Sequence, residues 1–133
     1  MFLDSSIIIE GFKGNPEALK ILTRLSKLSI RLYINGVVVS EVVYQLHSKR
    51  GCDLKQLKHH LLSFSILETN EKTINLMFDL IGKYRLKPND ALILATCKQY
   101  NITHLISLDS DFKEACQKEK INLIDSAEKL EEA

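Results

Sequence analysis

Asp4, Glu41, Asp90 and Asp109 are the residues of this chain whose type and setting could do chemistry. Each carboxylate is set against an apolar segment. Asp4 closes Met1-Phe2-Leu3. Glu41 lies inside Val37-Val38-Val39-Ser40-Glu41-Val42-Val43. Asp90 opens Asp90-Ala91-Leu92-Ile93-Leu94-Ala95, and Asp109 follows His104-Leu105-Ile106-Ser107-Leu108. A charge is costly to bury without a partner, and carboxylates crowded within a few ångströms repel until some take up protons. One or two Mg²⁺ or Mn²⁺ ions answer both costs, because hard cations prefer carboxylate oxygen. A ligand set without His or Cys disfavours Zn²⁺. Such ions acidify a water and stabilise the leaving oxygen of an in-line displacement at phosphorus, so the implied reaction is phosphodiester hydrolysis.

Each Asp also has a plainer explanation as a helix cap: Asp4 before Ile7 to Ile9, Asp90 before its apolar run, Asp109 before Phe112. Glu41, with valines on both sides, fits that explanation least. The residues alone leave caps and a shared site both standing, and the elements that position them decide between the two.

Strand-like runs at Phe2-Leu3, Arg31 to Ile34, Phe64 to Leu67, His104 to Ser107 and Ile121 to Ile124 alternate with helical stretches. Ser5 or Ser6 can cap a short helix reaching Phe12. Asn15-Pro16-Glu17 is a helix start, and Leu19, Leu22, Leu25 and Leu28 then recur at helical spacing. Val38, Val42, Val43 and Leu46 suit a helix ending near Gly51. Further helices are expected over Asp53 to Leu62, Asn70 to Tyr84, Asn89 to Tyr100 and Asp111 to Glu119. The Asn89 to Tyr100 helix is apolar enough for burial on several sides. This order predicts an α/β fold, a three-layer α/β/α arrangement around a mostly parallel sheet of about five strands. Sites in such sheets lie beyond the carboxyl ends of the strands. Asp4 and Asp109 stand just past predicted strands. Glu41 is expected in the first turn of the helix after the second strand, and Asp90 heads the apolar helix, so all four are expected at one edge.

The 133 residues, 45% of them hydrophobic, suit one domain, with a core over about residues 2–124 and a charged tail, Glu128 to Ala133, expected to fray. The net charge of +1 points to no gross nucleic-acid or membrane field. Cys52, Cys97 and Cys116 are odd in number and form no Cys-x-x-Cys pair, which suggests free thiols in a reducing, cytoplasmic setting. No apolar run nears the ~20 residues of a membrane span, and the N-terminus reads as no secretory leader.

Four motifs carry a family resemblance. They are Leu3-Asp4-Ser5-Ser6-Ile7-Ile8-Ile9, Ser40-Glu41-Val42, Asn89-Asp90-Ala91-Leu92-Ile93-Leu94-Ala95-Thr96, and Ile106-Ser107-Leu108-Asp109-Ser110-Asp111-Phe112. In order and spacing the chain resembles the PIN-domain nucleases, in particular the small VapC-type toxins of toxin–antitoxin pairs, from Phe2 to about Ile124. The resemblance implies a Mg²⁺- or Mn²⁺-dependent endoribonuclease, a homodimer in many members, silenced by a protein antitoxin. It implies that Asp4, Glu41, Asp90 and Asp109 bind metal and are catalytic. Asp111 is a weaker ligand candidate. Ser6 stands where it could orient Asp4 or a bound water. Ser5 departs from the threonine common there but keeps the hydroxyl.

Lys83-Tyr84-Arg85-Leu86-Lys87, if extended, points three cations to one side, where Lys83, Arg85 and Lys87 could hold an RNA backbone; the alternative is a solvated helix end. Lys13 and Lys49-Arg50 are weaker candidates of the same kind. Tyr44 and Tyr84 could stack on unpaired bases or pack at a rim. His59-His60 reads as a helix surface pair, and His104 as structural. The leucine-rich face from Asn15 to Leu28 suits core packing or a partner. Rival readings are a housekeeping PIN nuclease in RNA maturation, a non-catalytic PIN-like binding module, and a haloacid-dehalogenase-type phosphatase. The last needs a second Asp two residues after Asp4, where Ser6 stands.

Overall fold

In the computed structural model, which describes residues 1–133, the chain runs β1 (Phe2–Leu3), α1 (Ser5–Phe12), α2 (Pro16–Lys27), β2 (Tyr33–Asn35), α3 (Gly36–Val43), α4 (Leu54–Leu61), β3 (Ser65–Leu67), α5 (Glu71–Tyr84), α6 (Pro88–Gln99), β4 (His104–Ile106), α7 (Lys113–Lys118), β5 (Asn122–Ile124) and α8 (Ala127–Glu132). A π-helical turn, Tyr44–Ser48, extends α3, and a 3₁₀ turn, Ser110–Phe112, precedes α7. The strands form one all-parallel sheet in the order β3-β2-β1-β4-β5. The order reverses at the centre, so β1 lies between β2 and β4. Connections on either side of β1 therefore leave a crevice at its carboxyl end.

The core gathers on this short sheet. Phe2, Leu3, Ile34, Leu105, Ile106 and Ile124 are buried on the strands, and Ile7, Ile8, Val38, Val42, Ile93 and Leu94 cover them from the helices. Helix α6 buries Ala91, Ile93, Leu94, Ala95, Thr96 and Cys97, so its all-round apolar sequence matches its all-round burial. Pro88 fits its first turn, where no intrahelical N–H is needed.

Several local expectations are corrected. Asp4, not Ser5 or Ser6, caps α1. Helix α3 starts at Gly36 because Asn35 caps it, which moves Glu41 from the first turn to the second. In α2 the buried residues are Ala18, Ile21 and Leu25, whereas Leu19 and Leu28 are exposed. The leucine spacing is helical, but of the four leucines only Leu25 is buried and Leu22 partly so, and the core-facing stripe runs on through Ala18 and Ile21. His60 is half-buried where a surface pair is expected: it sits edge-on between Phe12 and Phe64, with ring centroids 5.7 and 5.3 Å away, while His59 is exposed. Residues Lys83 to Lys87 are not extended throughout. Lys83 and Tyr84 end α5, and Arg85 turns left-handed at φ 55°, so the three cations do not share a side.

The expected charged tail is folded as α8. Leu130 is only 3% exposed, Arg24 Nη1 donates to the Ala127 carbonyl at 2.8 Å, and the Ala127 N–H donates to Glu17 Oε1 at 2.8 Å. The core thus runs past residue 124 to Leu130. No helix is long and apolar enough to cross a membrane.

Candidate active site

Asp4 is placed by three elements at once. The residue leaves β1, caps α1 and is 4% exposed. Its Oδ2 accepts hydrogen bonds from Ser6 Oγ at 2.7 Å, from Ser107 Oγ at 2.7 Å and from the Ser6 N–H at 3.4 Å. Burial pushes its carboxyl above the ordinary range, and these donors work against that shift. Ser107, fully buried just after β4, also accepts the Asp109 N–H at 3.0 Å. Ser6 Oγ in turn accepts the Leu108 N–H at 3.1 Å. The segments after β1 and β4 are stitched together by two hydroxyls.

Glu41 reaches the same edge from α3. Its Oε1 accepts Ser5 Oγ at 3.0 Å, and Asn89 lines the cleft beside it. Burial, then the neighbouring charges of Asp4 and Asp109, hold its pKa above the usual value, with the Ser5 bond opposing. Asn35, buried behind this wall, accepts the Val38 N–H at 3.1 Å and donates Nδ2 to Thr96 Oγ1 at 3.0 Å. That bond ties the helix bearing Glu41 to the helix bearing Asp90.

Asp90 is the third residue of α6, where the positive end of the helix dipole favours an anion. Burial, then Asp109, Asp4 and Glu41, nevertheless push its carboxyl up to about 6, with Lys87 opposing. Its Oδ2 is buried and has no hydrogen-bond donor. Asp109 caps the 3₁₀ turn and accepts the Asp111 N–H at 2.9 Å. One oxygen each from Asp90, Asp109 and Asp111 lie within 4.8 Å of one another. A single hard cation holds ligands ~2.0–2.1 Å away, hence about 4 Å apart across it. The trio therefore approaches the spacing of a coordination shell with small side-chain adjustment.

Asp4, Glu41, Asp90 and Asp109 all line one cleft of about 590 Å³, so the four carboxylates do converge. The tightest group, however, takes Asp111 in place of Asp4 and Glu41. Asp111 is exposed and also pairs with Lys87, Nζ to Oδ2 3.7 Å. Of the three proposed backbone-binding cations, Lys87 alone borders the site, in an adjoining recess shared with Glu41, Asp90 and Asp109. Lys13 also lines the cleft, as do Tyr44 and Gln45. Tyr84 packs instead against Glu119, whose hydrogen bond raises the phenol to about 12.

Ser107 and Asn89 lie inside the family motifs with no local signal of their role, and Asn35 lies outside them. The signal for Asn35 was present, an Asn before Gly36 and an apolar helix. Nothing local pointed Ser107 at a residue 103 positions away.

The sequence pattern of the PIN domain matches residues 1–118. Ribonuclease VapC2 of Methanocaldococcus jannaschii is 36% identical over 129 aligned residues, spanning 85% of this chain and 87% of its own. A solved toxin–antitoxin complex from Klebsiella pneumoniae superposes with a TM-score of 0.71 at 25% identity, over 84% of this chain and 88% of the other. VapBC-1 from nontypeable Haemophilus influenzae superposes at 0.70 with 19% identity, over 93% and 96%, a likeness of fold. With the sequence pattern running through Asp4, Glu41, Asp90 and Asp109, and the same fold around them, the chain belongs to the PIN-domain family.

Proposed function

We propose that the protein is a metal-dependent endoribonuclease of the VapC toxin type, cutting RNA at the cleft where Asp4, Glu41, Asp90 and Asp109 meet. The observation that carries this reading is Asp90 Oδ2. An anionic oxygen that is buried and lacks a donor is costly. Here it stands among the carboxylates of Asp109 and Asp111, so a cation is the partner its surroundings suit. Oxygen-only donors fit Mg²⁺ or Mn²⁺, which would supply charge neutralisation and an acidified water. Asp90, Asp109 and Asp111 would hold the ion, with Asp4 and Glu41 completing the acidic wall.

The chain's own groups then have separate tasks. Ser6 and Ser107 fix Asp4, and Ser5 fixes Glu41. Glu41 is half-buried with a raised pKa, which suits it to accept a proton from the attacking water. Lys87 meets phosphate at the recess. The curated relative is named a ribonuclease, and a structural neighbour is a toxin–antitoxin complex. These support RNA as substrate and a protein antitoxin as partner. We further propose a homodimer acting in the cytoplasm, a setting that the three free thiols fit.

The test is cleavage of labelled RNA with Mg²⁺ or Mn²⁺, repeated with EDTA and with Asp90→Asn. Cleavage should need the ion and should be lost in the folded variant. Full activity in Asp90→Asn would refute the assignment. Growth arrest on expression, relieved by a neighbouring gene product, separates a toxin from a housekeeping nuclease.

A further inference from the structure

The cleft continues away from the acids. One side is lined by α1 and its C-cap, with Ser6, Glu10 and Lys13, and the other wall by α3 and its π-helical extension. Glu41, Tyr44 and Gln45 share that wall because residues three and four apart lie on one helix face. Tyr44 is 55% exposed and lines the cleft.

The helix changes type at this residue. In an α-helix with 3.6 residues per turn, Lys49 would stand about 140° around the axis from Tyr44. Here the Lys49 N–H donates instead to the Tyr44 carbonyl at 3.1 Å, the five-residue spacing of a π-turn. That brings Lys49 Nζ over the phenol ring, 5.1 Å from its centroid. The inner side of the turn is anchored independently. Leu46 is fully buried, and His47 Nδ1 lies 2.8 Å from the Cys52 carbonyl oxygen. The turn thus presents an aromatic ring to the cleft, held by a cation, one helical step from Glu41.

We propose that Tyr44 is a stacking platform for the unpaired base beside the scissile phosphate. This deepens the nuclease reading and rests on it. An aromatic face accepts any base, but only one that is not already stacked in a helix. Lys49 lies over the ring, and Lys13 lines the same cleft, paired with Glu10 at 3.6 Å; both charges suit the adjoining phosphates. In a cleft this acidic, stacking supplies attraction where the carboxylates repel the backbone.

The chain has no tryptophan, so Tyr44→Trp installs a unique fluorophore in the cleft. Binding is measured in the Asp90→Asn background with EDTA, so that no strand is cut. The probes are a short oligouridylate, an abasic strand of equal length, and an RNA duplex. Oligouridylate should quench the indole fluorescence of Tyr44→Trp, and the abasic strand and the duplex should not. Tyr44→Ala should bind oligouridylate about ten- to hundred-fold more weakly, and Tyr44→Phe should restore binding. Wild-type and Tyr44→Ala should bind the abasic strand equally. Equal oligouridylate affinity in Tyr44→Ala, or a loss that persists on the abasic strand, overturns the proposal. Failure of the wild-type protein to cut any RNA, with quenching intact, would sink the nuclease reading and leave Tyr44 a base-binding residue only.

Discussion

Ser107 Oγ donates to Asp4 Oδ2 at 2.7 Å and accepts the Asp109 N–H at 3.0 Å. One buried hydroxyl thereby sets the distance between an acid from the start of the chain and an acid from its last third. Its donor function is directed at a carboxylate that burial already disfavours as an anion. Ser107→Ala should raise the Asp4 pKa further and leave the Asp109 amide without its acceptor. The expected cost is about 1–3 kcal/mol in stability, with metal affinity down about ten- to hundred-fold. Chemical denaturation and Mn²⁺ titration measure the two effects. Ser107→Thr keeps the hydroxyl and should recover most of the metal affinity.

The acidic cluster makes the metal-free protein sensitive to pH in an unusual direction. Asp90 titrates near 6 in the fold against ~3.9 unfolded, and Asp4 and Glu41 are shifted the same way. Between those values the native state holds more protons than the unfolded state. Stability then falls as pH rises from about 4 to about 6, and the destabilisation is complete above that window. The melting temperature in EDTA should therefore be higher near pH 5 than at pH 7.5, as long as other carboxylates have not begun to unfold the protein. Saturating Mn²⁺ should abolish the fall, adding about 2.7 kcal/mol at a hundred-fold excess over its dissociation constant. A melting temperature that climbs through this window in EDTA would contradict the crowding of these carboxylates.

Asp90→Asn separates stability from activity. The amide removes a charge facing Asp109, Asp4 and Glu41, and gives the buried position a group that can donate. The metal-free variant should melt at or above the wild-type temperature at pH 7.5. It should also lose most of the Mn²⁺-induced rise and about two orders of magnitude or more in turnover. Lower stability in EDTA would mean that Asp90 serves the fold and not the site.

The placement of the four acids was legible because each lay next to a strong local signal. Asp4 and Asp109 follow strand-like runs, and Asp90 follows a proline at the head of an apolar helix. Parallel topology then carried them to one edge. What stayed hidden was long-range or depended on a break in periodicity. The Ser107–Asp4 and Asn35–Thr96 bonds join residues 103 and 61 positions apart. The π-turn at Tyr44 shifts the register of a helix whose sequence is continuous. Segment α8 looks like a solvated tail because Ala127 and Leu130 alone, one helical turn apart, are buried in it.

Asn35→Ala tests the tie between the two helices that carry Glu41 and Asp90. The substitution removes a helix cap, worth about 1 kcal/mol, and a buried bond to Thr96. Thr96 retains its bond to the Leu92 carbonyl at 2.8 Å, so its hydroxyl is not orphaned as a donor. The total loss should be about 2–3 kcal/mol. Asn35→Asp keeps the cap but buries a charge and loses the donor to Thr96, so it should be no more stable than the alanine variant. Equilibrium urea unfolding decides this, and a change below about 0.5 kcal/mol in both variants would remove Asn35 from the account.

Leu130→Ala tests whether α8 belongs to the fold. The side chain is nearly fully buried, and α8 is fastened to α2 through Arg24 and Glu17. Arg24 Nη1 also pairs with Glu131 Oε1 at 3.0 Å, but that pair is exposed and contributes little. The apolar contact dominates, so truncating it should cost about 2–5 kcal/mol, whereas Glu131→Gln should cost under about 1 kcal/mol. Because α8 packs on β5 and α2 and none of its residues lines the cleft, the surviving folded protein should cut RNA at the wild-type rate. A folded Leu130→Ala variant with impaired turnover would instead show that the C-terminal helix reaches the cleft through the sheet.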